Sequence, residues 1–169
     1  HRFDYNTPIE ETMKALHDLV TSGKVRYIGA SAMYAWQFQM MQNVAEKNGW
    51  TKFVSMQNHY NLIYREDERE LLPYCKATGV ASTPYSPMAG GRLTKNPGES
   101  SLRQETDATA KGKYDVNIDI DQPIFERVGE LASKHNVNRS NVALAWLLHT
   151  QPVVAPIVGA TKISHLEDA

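Results

Sequence analysis

The feature that most constrains this chain is a cadence. Three short runs rich in β-branched, aromatic or small residues, VRYIGAS (Val25–Ser31), FVSMQ (Phe53–Gln57) and VASTP (Val80–Pro84), begin at positions 25, 53 and 80, at intervals of 28 and 27 residues. Each follows an amphipathic stretch closed by a glycine. Pro8–Ser22 ends at Gly23, Ala35–Asn48 at Gly49 and Glu66–Thr78 at Gly79. Apolar residues recur at helical steps of three and four, as in Ile9, Met13, Leu16, Leu19 and Val20, or Phe38, Met41, Val44 and Ala45, or Leu71, Leu72 and Cys75. Thr7 is expected to cap the first helix, with Pro8 in its first turn and Glu10 and Glu11 facing the positive helix end. Parallel strands cannot be joined by a tight turn and need a crossover helix, so repeated strand–helix–glycine units predict a parallel α/β sheet.

After Pro84 the cadence breaks. Residues 86–121 are polar, contain AGG, NPG and GKYD, and show no clear period, so they read as one long loop. Two helices are expected next, Pro123–His135, with Ile124, Val128, Leu131 and Ala132 on one face, and Ser140–His149. VVAPIV (Val153–Val158) is expected to be a fourth parallel strand, and SHLEDA to open a last helix. About four parallel strands with covering helices fit an open α/β sheet or half of a barrel.

Composition narrows the function. Net charge is −1 with Lys and Arg scattered, so there is no basic stripe for nucleic acid. The longest apolar run, Val142–Leu148, is far too short to cross a bilayer, and no membrane partner is expected. Cys75 is the sole cysteine, which excludes an intrachain disulfide and fits a reducing, cytoplasmic setting. His17, His135 and His149 lack metal-ligand spacing, and no metal is expected.

Parallel α/β folds bind ligands at the carboxyl ends of their strands. Those ends carry Ser31, Gln57, Tyr85-Ser86, and Gly159-Ala160-Thr161-Lys162, each a change from apolar to hydrogen-bonding residues. Four ordered motifs, GKVRYIGAS, SMQNHYNL with the following RE and REL, PYSPMAGGRL, and PIVGATK with HLED, resemble the aldo-keto reductase family along the whole chain. The wording is most similar to the fungal branch that includes versiconal hemiacetal acetate reductase and aryl-alcohol dehydrogenase-like enzymes. The resemblance implies the second half of a (β/α)8 TIM barrel, from the end of strand four to the start of helix eight. Residues 1–169 would then form a partial barrel, and 86–121 the loop that folds over the cofactor. The missing initiator Met and the short last helix fit a portion of a longer enzyme.

The same resemblance implies hydride transfer from NADPH to an aldehyde or ketone, with an aromatic carbonyl as the suggested substrate. His1 matches the family's catalytic histidine, which orients the carbonyl. The Asp, Tyr and Lys that complete the tetrad have no match here, so the chain alone is expected to be inactive. Ser31 and Gln57 match the residues that bind the nicotinamide carboxamide, a group needing both donor and acceptor. The family often has a polar residue after that serine, where this chain has Ala32. Tyr85 matches the aromatic that stacks on the nicotinamide ring. Ser86, Pro87, Met88, Ala89 and Gly90 match the loop at the pyrophosphate, with Arg92 and Lys95 able to add charge or to stand in solvent. Gly159, Thr161 and Lys162 precede the last helix where the family holds the 2′-phosphate, which favours NADP(H) over NAD. His165 and Asp168 match contacts to adenosine. Tyr34, Trp36, His59 and Tyr60 are candidates for the substrate mouth, against helix packing for Trp36 and a hydrogen-bonded loop role for His59. An alternative is a non-catalytic NADPH-binding module akin to the potassium-channel β-subunits of this fold, and a third reading is a fragment that binds nothing.

Overall fold

The computed structural model describes residues 1–96, 99 and 106–169. The chain divides into two compact units. One comprises residues 1–58 and 66–83, the other 59–65 and 84–169.

The first unit holds the parallel sheet. Its elements are α1 (Ile9–Thr21), β1 (Gly29–Ser31), α2 (Ala35–Asn48), β2 (Ser55–Gln57), a 3-10 turn at Glu66–Glu68, α3 (Leu71–Thr78) and β3 (Ala81–Ser82). The strands lie in sequential order, all parallel, with Gly29 opposite Ser55, Ser31 opposite Gln57, and Met56 opposite Ser82. The core beneath them is formed by Met13, Ile28, Phe38, Met41, Ala45, Phe53, Met56, Leu71, Cys75 and Val80. Helix α2 runs over the residues expected, and Gly49 and Gly79 close α2 and α3 in the left-handed conformation that a side chain disfavours. Gln42, buried on α2, grips the backbone of Phe53 at both ends, its amide nitrogen donating to the carbonyl and its oxygen accepting from the N–H, each at 2.9 Å. That pair fixes where the chain enters β2.

Three expectations are corrected here. Thr7 does not cap α1. Its hydroxyl donates to Asp4 Oδ2 at 2.7 Å, and Pro8 occupies the cap position without a side-chain bond. The strands are shorter than their apolar runs, because a ladder extends only as far as a partner backbone does. Val25 and Tyr27 remain exposed despite their β propensity. Helix α3 begins at Leu71, with the acidic residues before it in the 3-10 turn.

The second unit is helical. The segment 86–121, expected as a single loop, contains a 3-10 turn at Ala89–Gly91, helix α4 (Ala108–Tyr114) and the start of α5 (Ile118–His135). Asp107 caps α4 by accepting from the Ala110 N–H at 2.9 Å. Its buried face is only Ala110 and Tyr114, two residues one turn apart, too few to register as a period. Pro123, expected to open α5, lies inside it. Helix α6 (Arg139–His149) begins one residue earlier than expected, and α7 spans Ile163–Glu167. Ala89, Leu93, Ala110, Tyr114, Phe125, Val128 and Ala143 form this unit's core. Among the described residues the fourth strand is reduced to isolated bridge positions at Val153 and Ile157; Ile157 pairs in parallel with Tyr85, and its N–H donates to the Pro84 carbonyl at 2.8 Å. Pro152 precedes that stretch and Pro156 lies within it, and neither supplies an N–H for a longer ladder. The sheet therefore has three strands rather than about four.

Candidate functional site

In the first unit, the register of β1 and β2 puts Ser31 beside Gln57 at the carboxyl ends of neighbouring strands. The Ser31 hydroxyl donates to the Gln57 carbonyl at 2.9 Å, and the Ala32 N–H reaches the same oxygen at 3.1 Å. Ala32 takes a left-handed φ of 50°, so the chain turns sharply off the strand there. Among the described residues, the Gln57 side-chain amide has no hydrogen-bond partner. Directly behind it lies a buried polar chain that sequence reading missed. Ser82 Oγ donates to Asn58 Oδ1 at 2.7 Å, and Asn58 Nδ2 donates to Asp67 Oδ2 at 2.9 Å. Burial raises the Asp67 carboxyl above its ordinary range, opposed by the Asn58 bond. The signal available was Asn58 immediately after a strand-end Gln, but polar residues there are ordinary. A cavity of about 380 Å³ in this unit lies between α2 and α3 at the opposite, amino ends of β2 and β3, lined by Gln39, Glu46, Val54 and Gly79 among others. It shares no residue with the strand-end set. His1 is exposed and outside any element.

In the second unit, Tyr85 stands at the bridge to Ile157, and a tight loop follows. Ser86, Ala89, Gly90 and Gly91 all have positive φ, between 49° and 94°. Pro87 is buried and Met88 half-buried. Arg92 is neither in solvent nor on an open surface. Its side chain is 5% exposed, and its Nε donates to Asp115 Oδ1 at 2.6 Å. The guanidinium lies 5.4 Å from the Tyr114 ring centroid. Arg92 Nη1 is buried without a partner, and a Cβ on Gly90 would come within 3.0 Å of it.

Around Tyr85 the chain supplies its own neighbours. The His59 ring stacks on it at 5.0 Å and 11°, and Lys113 Nζ is 4.9 Å from its centroid and 3.4 Å from its hydroxyl. His59 is thus a hydrogen-bonded loop residue, its Nε2 being 2.6 Å from the Tyr114 hydroxyl. Tyr60 is fully buried with its ring 5.3 Å from Trp146, which removes it as a lining residue of any mouth. Trp36, in the first unit, is half-exposed on α2, near Phe3 and Tyr34.

Gly159, Thr161, Lys162, His165 and Asp168 are exposed. Ile157 binds Tyr85, so Gly159 and Thr161 lie two and four residues beyond that bridge. Lys162 is the residue before α7, a helix of five residues. Thr161 Oγ1 and His165 Nδ1 are 3.5 Å apart. Asp168, expected to contact adenosine, is engaged by the start of α6. Its carboxylate accepts from Asn138 Nδ2 at 3.0 Å, and its carbonyl from Ser140 Oγ and Asn141 Nδ2 at 2.9 and 3.0 Å.

Among the described residues no group of three His, Cys, Asp or Glu side chains could hold a metal, and no helix is long and apolar enough to cross a membrane. Sequential parallel strands joined through helices, with hydrogen-bonding residues at their carboxyl ends, are the frame of a parallel α/β protein that binds ligands at its strand ends. A sequence model of the Aldo/keto reductase family matches residues 1–169, and the chain belongs to that family of oxidoreductases. It is 50% identical, over 100% of its length, to an aldo-keto reductase of Fusarium vanettenii, covering 45% of that protein. It is 48% identical to the versiconal hemiacetal acetate reductase of Aspergillus parasiticus, over 100% of this chain and 50% of the relative. A putative aryl-alcohol dehydrogenase of Schizosaccharomyces pombe is also 48% identical, over 100% of this chain and 51% of the relative. The chain spans about half the length of the curated relatives it matches.

Proposed function

We propose that this chain carries the nicotinamide and phosphate contacts of an NADPH-dependent reductase acting on an aldehyde or ketone, with an aromatic carbonyl as the favoured class. The observation that carries the reading is the Gln57 amide, without a hydrogen-bond partner among the described residues and beside Ser31 at the carboxyl ends of β2 and β1. A carboxamide offers one donor and one acceptor face, which a second carboxamide matches. Two further features support the cofactor. Arg92 Nη1 is a buried donor lacking an acceptor, and Gly90 leaves room beside it that a Cβ would fill. Lys162 and Thr161 add an ammonium and a hydroxyl for the 2′-phosphate on the family's pattern, which favours NADP(H) over NAD.

NADPH, when bound, supplies the hydride that attacks the carbonyl carbon. On the family's pattern Ser31 and Gln57 would hold the carboxamide, and Tyr85 would be the aromatic that supports the ring. Reduction of a carbonyl would also need a proton at its oxygen. His1 would hydrogen-bond the carbonyl oxygen as charge develops there. The Asp, Tyr and Lys that complete the family's tetrad have no matching positions in these 169 residues, so the chain by itself is expected to be inactive. The alternative reading is a non-catalytic NADPH-binding module.

The test is a pair of measurements. A sample whose intact mass equals this chain is titrated with NADPH by fluorescence and assayed with an aryl aldehyde. Binding without turnover is expected. Turnover would refute the inactivity, and absence of binding would favour a fragment that needs further chain to complete its cofactor site. In the full-length natural protein carrying this sequence, Gln57→Ala is expected to raise the NADPH Kd by about tenfold, the loss of one or two hydrogen bonds.

A further inference from the structure

The cluster behind Tyr85 is more ordered than a packing contact requires. His59 and Tyr85 are joined by a parallel backbone bridge and by the ring stack at 5.0 Å and 11°. His59 also stacks with Tyr64, at 4.0 Å and 21°. The Tyr114 hydroxyl holds its edge, 2.6 Å from Nε2, with the two rings inclined at 64°. Asn61 ties the group together. Its Oδ1 accepts from the N–H groups of Ile63 and Tyr64 at 3.1 and 2.9 Å. Its Nδ2 donates to the Ser86 carbonyl at 2.9 Å and lies 3.4 Å from the Tyr114 hydroxyl. Rotation of the imidazole would break the Tyr114 bond and both stacks at once.

We propose that His59 is a positioning residue for the cofactor ring. Stacked with Tyr64 and Tyr85 and held at its edge by Tyr114, it fixes the plane of Tyr85 on which a nicotinamide would lie. This rests on the reading of Tyr85 as the stacking aromatic. The ring surface that His59 takes is closed to the cofactor, so a nicotinamide would meet Tyr85 on what remains; Lys113 Nζ lies 4.9 Å from the same centroid. Burial, and secondarily the Lys113 charge, lower the His59 pKa to about 4, so the imidazole is neutral at physiological pH. An uncharged, tightly held ring acts on Tyr85 through its shape and stacking alone.

The experiment compares two ligands on the full-length natural protein. NADPH carries the nicotinamide, whereas adenosine 2′,5′-bisphosphate has the same adenosine phosphates without it. His59→Ala is expected to raise the Kd for NADPH by about tenfold, the upper range of an aromatic stacking contact, and to leave the bisphosphate unchanged. His59→Phe keeps a flat ring in the stack and is expected to restore NADPH affinity to within about twofold, a few tenths of the stacking effect. Equal weakening of both ligands by His59→Ala, no change in either, or failure of the phenylalanine to rescue would overturn the proposal. Tyr85→Ala separates it from the reading it rests on. If Tyr85→Ala leaves NADPH binding intact, the stacking role of Tyr85 fails. If Tyr85→Ala weakens NADPH selectively and His59→Ala does not, only the positioning role of His59 fails.

Discussion

The two units hold the side chains assigned to a cofactor under the proposed reading in opposite ways. In the first, Ser31 and Gln57 are held by ladder register, and the Gln57 amide is left without a partner among the described residues. In the second, Tyr85 and Arg92 are already engaged. His59 and Lys113 hold the tyrosine, and Asp115 and Tyr114 hold the arginine. Of the first set the Gln57 amide is open among the described residues, while the Ser31 hydroxyl donates to the Gln57 carbonyl. The second is pre-shaped by its own side chains, with Lys113 on the exposed α4 the cheapest of them to move. Rigid register suits a hydrogen-bonded amide, whose directions are fixed. Side-chain packing suits a ring, whose contact depends on the plane of its neighbour.

The largest effect should come from the unit whose order depends on its core. Phe38 is fully buried among Phe53, Tyr74 and the sheet residues. Phe38→Ala is expected to cost about 3–5 kcal/mol, read as a lower urea midpoint at unchanged slope. It should weaken the Gln57 contribution to NADPH binding before that of Tyr85, and the reverse order would break the comparison. Gly90→Ala acts on the second unit. Its φ of 63° and the 3.0 Å approach of Arg92 Nη1 predict a loss of about 1–2 kcal/mol in the same assay, from left-handed strain plus displacement of the guanidinium. A neutral Gly90→Ala would mean that Arg92 yields freely, and that its burial is no constraint on the loop.

The smallest effect is a pH slope. His59 has a folded-state pKa of about 4, below its ordinary 6.5, because burial and Lys113 disfavour the imidazolium. Between those values the unfolded chain binds more protons than the folded one. Stability from this group is therefore present above about pH 6.5 and is lost as the pH falls towards 4. Urea denaturation across that window should show the loss, and His59→Phe should flatten it. Tyr64, Tyr85 and Tyr114 also face the imidazole, and burial pushes the Tyr114 hydroxyl up, away from this window. An unchanged slope in His59→Phe would show that the imidazole is not secluded, and the contrast with the open Gln57 would lose its meaning.

Much of the first unit was legible from local pattern. Helix α2 is bounded by Tyr34 and Gly49 as its apolar spacing and terminating glycine require, and the three strand positions follow from their intervals. The second unit was less legible. Helix α4 buries only Ala110 and Tyr114, and the 153–158 stretch looks like a strand yet has its N–H donors interrupted by Pro152 and Pro156. Among the site residues, the adjacency of Ser31 and Gln57 could be expected from strand ends. The burial of Arg92 and the capture of Asp168 by Asn138 could not, because each depends on residues 23 to 30 positions away.

Sequence alone determined the repeated strand–helix unit, the membership of a reductase family and the residue types at the strand ends, since these rest on local periodicity and on motif order. Only the tertiary structure decided which of those groups are free and which are spoken for. Whether Gln57 keeps an open amide while Tyr85 rests on His59 depends on which distant side chains reach them, and long-range packing leaves no periodic mark in the chain.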